Sequence, residues 1–321
     1  MLLAVSAMAA PPAEIAPALR PAEPMPLAAK SLLLGAARHG DRVIVVGERG
    51  HILVSADAGA SWEQAAVPTR ATLTAVTLID RNRAWAVGHD GVILHSEDGG
   101  RSWAFQSVEI GGPPLFDVRF ADADHGIAAG AYGAVLITRD GGRSWRSDLV
   151  YPEEPHVNAV DQAPNGTLFA AGEFGSSFRS DDGGRTWRSL ESPYDGSFFG
   201  ILALSGQELL VFGLRGHVFR SPDGGASWSE IETGTRATLL AGQALADGRV
   251  IVAGLDGTLL VSSDRGRTFR LLKLPDRQGI ADLTELPDGS VLLVGEGGLR
   301  RVEHLSHSSL AITRPDFTPV P

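Results

Sequence analysis

The chain has 321 residues, a formal net charge of −10, 39 glycines and no cysteine. The acidic balance argues against nucleic-acid binding, which needs a basic surface. The missing cysteines exclude a disulfide framework, thiol chemistry and thiolate metal sites. Length alone suggests two domains, but an internal repeat overrides that count.

In chain order, residues 1–9 join a short apolar stretch to the Ala7-Met8-Ala9 cleavage pattern, the remnant of an export signal. Residues 10–27 read as an Ala/Pro-rich segment. No stretch reaches the ~18 apolar residues that a membrane span needs, so an exported, soluble, periplasmic product is expected.

From residue 28 to residue 314 one unit recurs. Each copy has a short apolar strand, an apolar pair followed by G-x-x-G, another short strand, and an eight-residue box of the form S/T-x-D-x-G-x-S/T-W/F. The box aspartates and closing aromatics are Asp57 and Trp62, Asp98 and Trp103, Asp140 and Trp145, Asp182 and Trp187, Asp223 and Trp228, and Asp264 and Phe269. The G-x-x-G turns begin at Gly47, Gly88, Gly130, Gly172, Gly213 and Gly254, with a seventh at Gly295. The seventh unit keeps its strands but has no box, and the box aromatic's place falls on Leu310. Four short strands per repeat of roughly 40–50 residues are the mark of a propeller blade. The expected fold is therefore all-β: a seven-bladed β-propeller of four-stranded antiparallel blades. The chain is expected to supply all four strands of the last blade, without a strand exchanged from residues 12–25. Residues 315–321 remain as a C-terminal tail.

The box reads as a turn and a fastener. Its Asp can accept backbone N–H groups, its second Gly permits a positive φ, and its aromatic can wedge between blades. Six copies fit a structural role better than a catalytic one, since every blade must satisfy the same backbone groups.

The opposite face is the candidate working face, because the loop leading into each first strand and the G-x-x-G turn share it. Counting back 18 residues from the first Gly of each turn gives Arg70, Arg236 and Arg277, and Ala29 with Lys30 beside it; the other three units give Gly112, Glu154 and Asp195. Four adjacent blades thus offer a basic residue. Arg49, His156, Tyr194 and Phe199 join them on this face, as do Tyr132, Phe174 and Arg215. Arginine clusters bind carboxylates or phosphates through paired hydrogen bonds, and aromatics beside them anchor interfaces. The alternative is that these are solvated loop charges. No metal or cofactor site is expected.

The boxes match the BNR or Asp-box motif. Their regular spacing, each box following an apolar G-x-x-G turn, resembles the photosystem II stability/assembly factor-like family over nearly the whole ring. That resemblance implies a non-enzymatic assembly factor holding a membrane protein or envelope transporter complex on one propeller face, on the lumenal side in a photosynthetic host; the chain is expected to be a monomer. The rival reading is a sialidase-like glycoside hydrolase. It would use Arg70, Arg236 and Arg277 as a carboxylate triad and Tyr132 with Glu173 at the reacting centre, but the chain lacks the R-I/L-P segment of sialidases.

Overall fold

The short apolar runs are two-sided, so no sheet can bury itself alone; each must be stacked on neighbours. The computed structural model describes residues 19–108, 112–149, 155–303, 305 and 312–317. The leader at 1–9, Glu154 and Leu310 lie outside the described residues. Seven antiparallel sheets follow one another in chain order. Their innermost strands are Leu33–His39, Leu73–Leu78, Leu115–Phe120, Val157–Gln162, Phe198–Ala203, Leu239–Ala244 and Ile280–Glu285, and each packs on the next, the seventh on the first. The second strand of each blade from the second to the seventh is buried from end to end, as at Ala84–Gly88 and Leu209–Gly213, and that of the first is buried from Val43 onward.

The hydrophobic clusters lie between sheets. One joins Ile44, Val46, Ile52 and Val54 of the first blade to Leu73, Val76, Ala86, Val92 and Leu94 of the second, with Trp103 closing it. Trp62 likewise sits against Leu286, Leu292 and Val294 of the seventh blade. The remaining box aromatics, Trp145, Trp187, Trp228 and Phe269, pack into the gap on the same side of their own blades.

The box geometry is constant. Asp98 Oδ1 accepts the Ser96 hydroxyl at 2.9 Å and the Ser102 N–H at 3.0 Å, while Oδ2 accepts the Ser102 hydroxyl at 2.6 Å. The Ser96 oxygen accepts the Gly100 N–H at 2.9 Å. The same set recurs around Asp57, Asp140, Asp182, Asp223 and Asp264. Hydrogen bonds from the Ser144 side chain and backbone hold the Asp140 carboxyl down at about 2, and Ser227 does the same for Asp223. Gly100 has φ +86°, and a Cβ there would stand 2.5 Å from Ile44 Cδ1 of the preceding blade. The second Gly of the box is thus required twice, by its own backbone and by the neighbour it presses against.

The seventh blade is closed by Arg300–Val302 pairing with Ile312–Thr313, so the chain supplies all four strands. The stretch read as a tail adds one more. Asp316–Phe317 runs parallel to Ser61–Gln64, the outer strand of the first blade, and makes that sheet five-stranded. The outer edge of the first blade offers unpaired backbone groups, and the end of the chain takes them up. At the other terminus the Ala22 N–H donates to Val67 O at 2.9 Å and the Met25 N–H to Gln64 Oε1 at 2.8 Å.

Candidate partner-binding face

Each G-x-x-G turn packs on the loop leading into its own blade's first strand or the next. The Glu48 N–H donates to Leu32 O at 3.0 Å, the His89 N–H to Thr72 O at 2.9 Å and the Leu255 N–H to Thr238 O at 2.9 Å. The box loops bond at the opposite end, Gly99 N–H to Asn82 O at 2.8 Å and Gly141 N–H to Asp124 O at 3.0 Å. The two faces are therefore distinct, and the candidate residues lie on the turn face or at the channel it surrounds.

The basic candidates divide in two. Arg70 donates to Pro21 O at 2.9 Å and pairs with Glu23, so the segment before the ring occupies it. Arg277 makes a two-pronged pair with Asp256, 2.7 and 3.0 Å, and Asp256 also holds Lys273 at 2.8 Å. Those cations are neutralised within the fold. Lys30, Arg49 and Arg236 are exposed, and no carboxylate holds them among the described residues. Arg236 shares a cleft of about 800 Å3 with Arg215, His217, Glu230 and Glu232. The three arginines of the glycosidase reading thus do not converge: two are spent on different carboxylates and the third faces a separate cleft.

The aromatic candidates gather over the third to fifth blades. His156 lies edge-on to Tyr132 at 5.2 Å, 5.9 Å from Phe116, and its Nδ1 is 3.6 Å from Glu173 Oε2. Tyr194 is half-buried, 4.4 Å from His217 and 5.9 Å from Phe219. It stands as a packed wall more than as a free anchor. Phe199 has another setting. Every innermost strand carries a bulge at its second residue, and the extra residues, Leu34, Thr74, Phe116, Asn158, Phe199, Leu240 and Ala281, all line the central channel. A bulge re-aims a side chain, and here it turns one residue per blade into a cavity of about 590 Å3.

The channel also holds charges that repeat counting passes over. Innermost strands have no partner on their inner edge, so their N–H groups need acceptors. Asp117 Oδ2 takes the Val160 N–H at 2.9 Å, Asp161 Oδ2 the Ala203 N–H at 2.8 Å and Asp282 Oδ2 the Ala36 N–H at 2.8 Å, each from the following blade. Arg119 balances Asp161 at 3.0 Å, with nearly half its side chain reachable from the channel (47%). Burial pushes the Asp282 carboxyl up to about 7 against the pull of the Ala36 and Leu283 N–H groups, and the nearby Asp117 charge adds to the rise. A charged residue inside an otherwise apolar strand, as in "LFDVRF", was the available signal for these.

Two overlapping stretches, residues 26–113 and 105–249, match the family described as photosynthesis system II assembly factor YCF48. No curated protein matches the chain in sequence. Among solved structures it is similar to YCF48 bound to D1 peptide, at 18% identity and TM-score 0.70, covering 90% of this chain and 98% of that one. YCF48 from Cyanidioschyzon merolae gives 16% identity and TM-score 0.70, over 86% and 97%. An ancestral GH74 enzyme reaches TM-score 0.72 at 16% identity, but only 46% of its length is covered. Likeness at this level establishes the propeller and no more; the family match covers most of the ring. This chain belongs to the YCF48 family of photosystem II assembly factors, which is not a family of enzymes.

Proposed function

We propose that this chain is an exported, periplasmic binding factor that holds a membrane-protein partner, a subunit of an envelope transporter complex, against its turn face. One observation carries the reading. Six large hydrophobic side chains are well exposed among the described residues: Leu19, Leu27, Leu32, Tyr132, Phe174 and Leu255. All but Leu19 stand in the turns and lead-in loops of that one face, where Lys30, Arg49 and Arg236 are also open. Exposed apolar groups gathered on one side, with charges around them, mark an interaction surface. The solved YCF48 relative binds a D1 peptide, which supports a polypeptide partner.

The test is affinity capture from detergent-solubilised envelope, read by mass spectrometry. Wild type is compared with a Lys30→Ala, Arg49→Ala, Arg236→Ala variant, since Arg70 and Arg277 already have internal partners. A transporter subunit captured by wild type and lost in the variant is the expected result. Identical captures would overturn the assignment of the face.

A further inference from the structure

The G-x-x-G turn holds its third residue in the left-handed region in six blades, with φ from 55° to 59° at Arg49, Asp90, Tyr132, Phe174, Arg215 and Asp256. The backbone is constant; only the side chain changes. For a bulky aromatic this conformation is unfavourable, and Asn or Gly would hold it at less cost. Yet Tyr132 and Phe174 occupy adjacent blades there and leave 61% and 77% of their surface exposed. Neither backbone preference nor core packing accounts for them.

Their surroundings point to a ligand chemistry. Tyr132 meets the His156 ring, and Glu173 Oε2 accepts the His156 N–H at 3.3 Å while facing its Nδ1. Glu173 directly precedes Phe174. The described turns and lead-in loops of the third and fourth blades contain no Lys or Arg, and the next lead-in loop adds exposed Asp195. Aromatic faces beside a carboxylate attract cations, and an anionic bilayer would be repelled from the same arc. We propose that Tyr132, Glu173 and Phe174 form a docking site for a basic polypeptide segment, laying a lysine or arginine side chain over the rings with its charge held by Glu173. This deepens the partner-binding reading: the segment would cross from the open cations of the first blade to an aromatic, acidic arc on the far side of the channel.

The direct test is fluorescence anisotropy with the full chain and two labelled peptides of equal length, one alternating Leu and Arg, the other Leu and Glu. The acidic chain attracts any basic peptide, so the variants decide. Glu173→Gln, and Tyr132→Ala with Phe174→Ala, should each weaken the Leu/Arg peptide by about tenfold, with near-UV circular dichroism unchanged, while Lys30→Ala with Arg49→Ala should not weaken it. Equal binding of the two peptides, or variants that bind like wild type, would overturn the site. Flotation on phosphatidylcholine vesicles that is lost in Phe174→Ala but kept in Glu173→Gln would reassign the rings to lipid and overturn it equally. Envelope capture that fails while the Leu/Arg peptide still binds would remove the transporter reading and leave this site; the reverse pattern would remove the site alone.

Discussion

The box loops and the G-x-x-G turns sit at opposite ends of the same blades, and both repeat around the ring. In the boxes the side chains repeat: six Asp residues accept the same hydroxyls and N–H groups, and six Gly residues take φ between 75° and 90° at the same point. In the turns the backbone repeats but its occupant runs Arg, Asp, Tyr, Phe, Arg, Asp. A side chain that is part of the joint between blades cannot vary without loosening it. One that only projects from a fixed turn is free to vary, so its identity reports on what it meets. Repetition therefore separates the parts that hold the ring from the parts that read a partner.

The largest expected effect is on the box side. Trp103 is almost wholly buried and its indole N–H donates to Gly100 O at 2.8 Å. Trp103→Ala should cost about 3–5 kcal/mol of unfolding free energy by urea titration. Trp228 is half-buried and its indole N–H has no acceptor among the described residues, so Trp228→Ala should cost distinctly less. Equal losses would mean that the gap between blades, not the individual contact, sets the energy. Peptide binding at the turn face should survive in both variants.

Acid should strip the box side first. The Asp140 and Asp223 carboxyls titrate near 2 in the fold against 3.8 for an ordinary Asp. A depressed acid contributes stability that is complete above the ordinary value and is lost as pH falls toward the folded one, so the box contribution to Tm should hold to about pH 4 and drop below it. Asp282 has the opposite sign. Its raised pKa makes its contribution complete in acid and lost as pH rises through about 7. Asp282→Asn should flatten the fall in Tm between about pH 4 and 7 and leave the acid limb unchanged; a wild-type Tm that rises over that range would contradict the burial of this carboxyl.

The ring was legible in the sequence because its markers are local. A box of eight residues closes its own hydrogen bonds, so it keeps one spelling wherever it occurs, and the spacing of Trp62, Trp103 and Trp145 counts blades directly. Contacts between distant parts have no such spelling. Nothing in "RATL" at Arg70 announces that Pro21 and Glu23 lie over it, and Asp256 lies 21 residues from the Arg277 it binds. The closing strand at Asp316–Phe317 was hidden for the same reason: its partner is Ser61–Trp62, at the other end of the chain. The channel carboxylates fell between these cases, since Asp117 and Asp282 occupy matching places in their strands but Asp161 does not.

A smaller effect should appear at the turn side with the reverse sign. Phe174→Asn relieves a left-handed aromatic and removes an exposed ring, so it should stabilise the fold by about 0.5–1 kcal/mol. The same change should abolish the contribution of Phe174 to basic-peptide binding. A gain in stability with a loss in binding is the behaviour of a residue kept for recognition; destabilisation would place Phe174 among the structural parts.

The smallest effects separate paired from open cations on the turn face. Arg277 and Asp256 form an exposed two-pronged pair, and surface pairs are worth about 0–1 kcal/mol. Arg277→Ala should therefore shift the urea midpoint slightly downward, and Asp256→Ala should do the same while also freeing Lys273. In the double variant the Arg277 effect should vanish, because the coupling has no second partner to lose. Arg236 has no carboxylate to lose among the described residues, so Arg236→Ala should leave the midpoint where it is and act only on capture of the partner. A stability loss in Arg236→Ala equal to that in Arg277→Ala would show that Arg236 is tied into the fold like its neighbour, and would shrink the open basic surface to Lys30, Arg49 and Arg215.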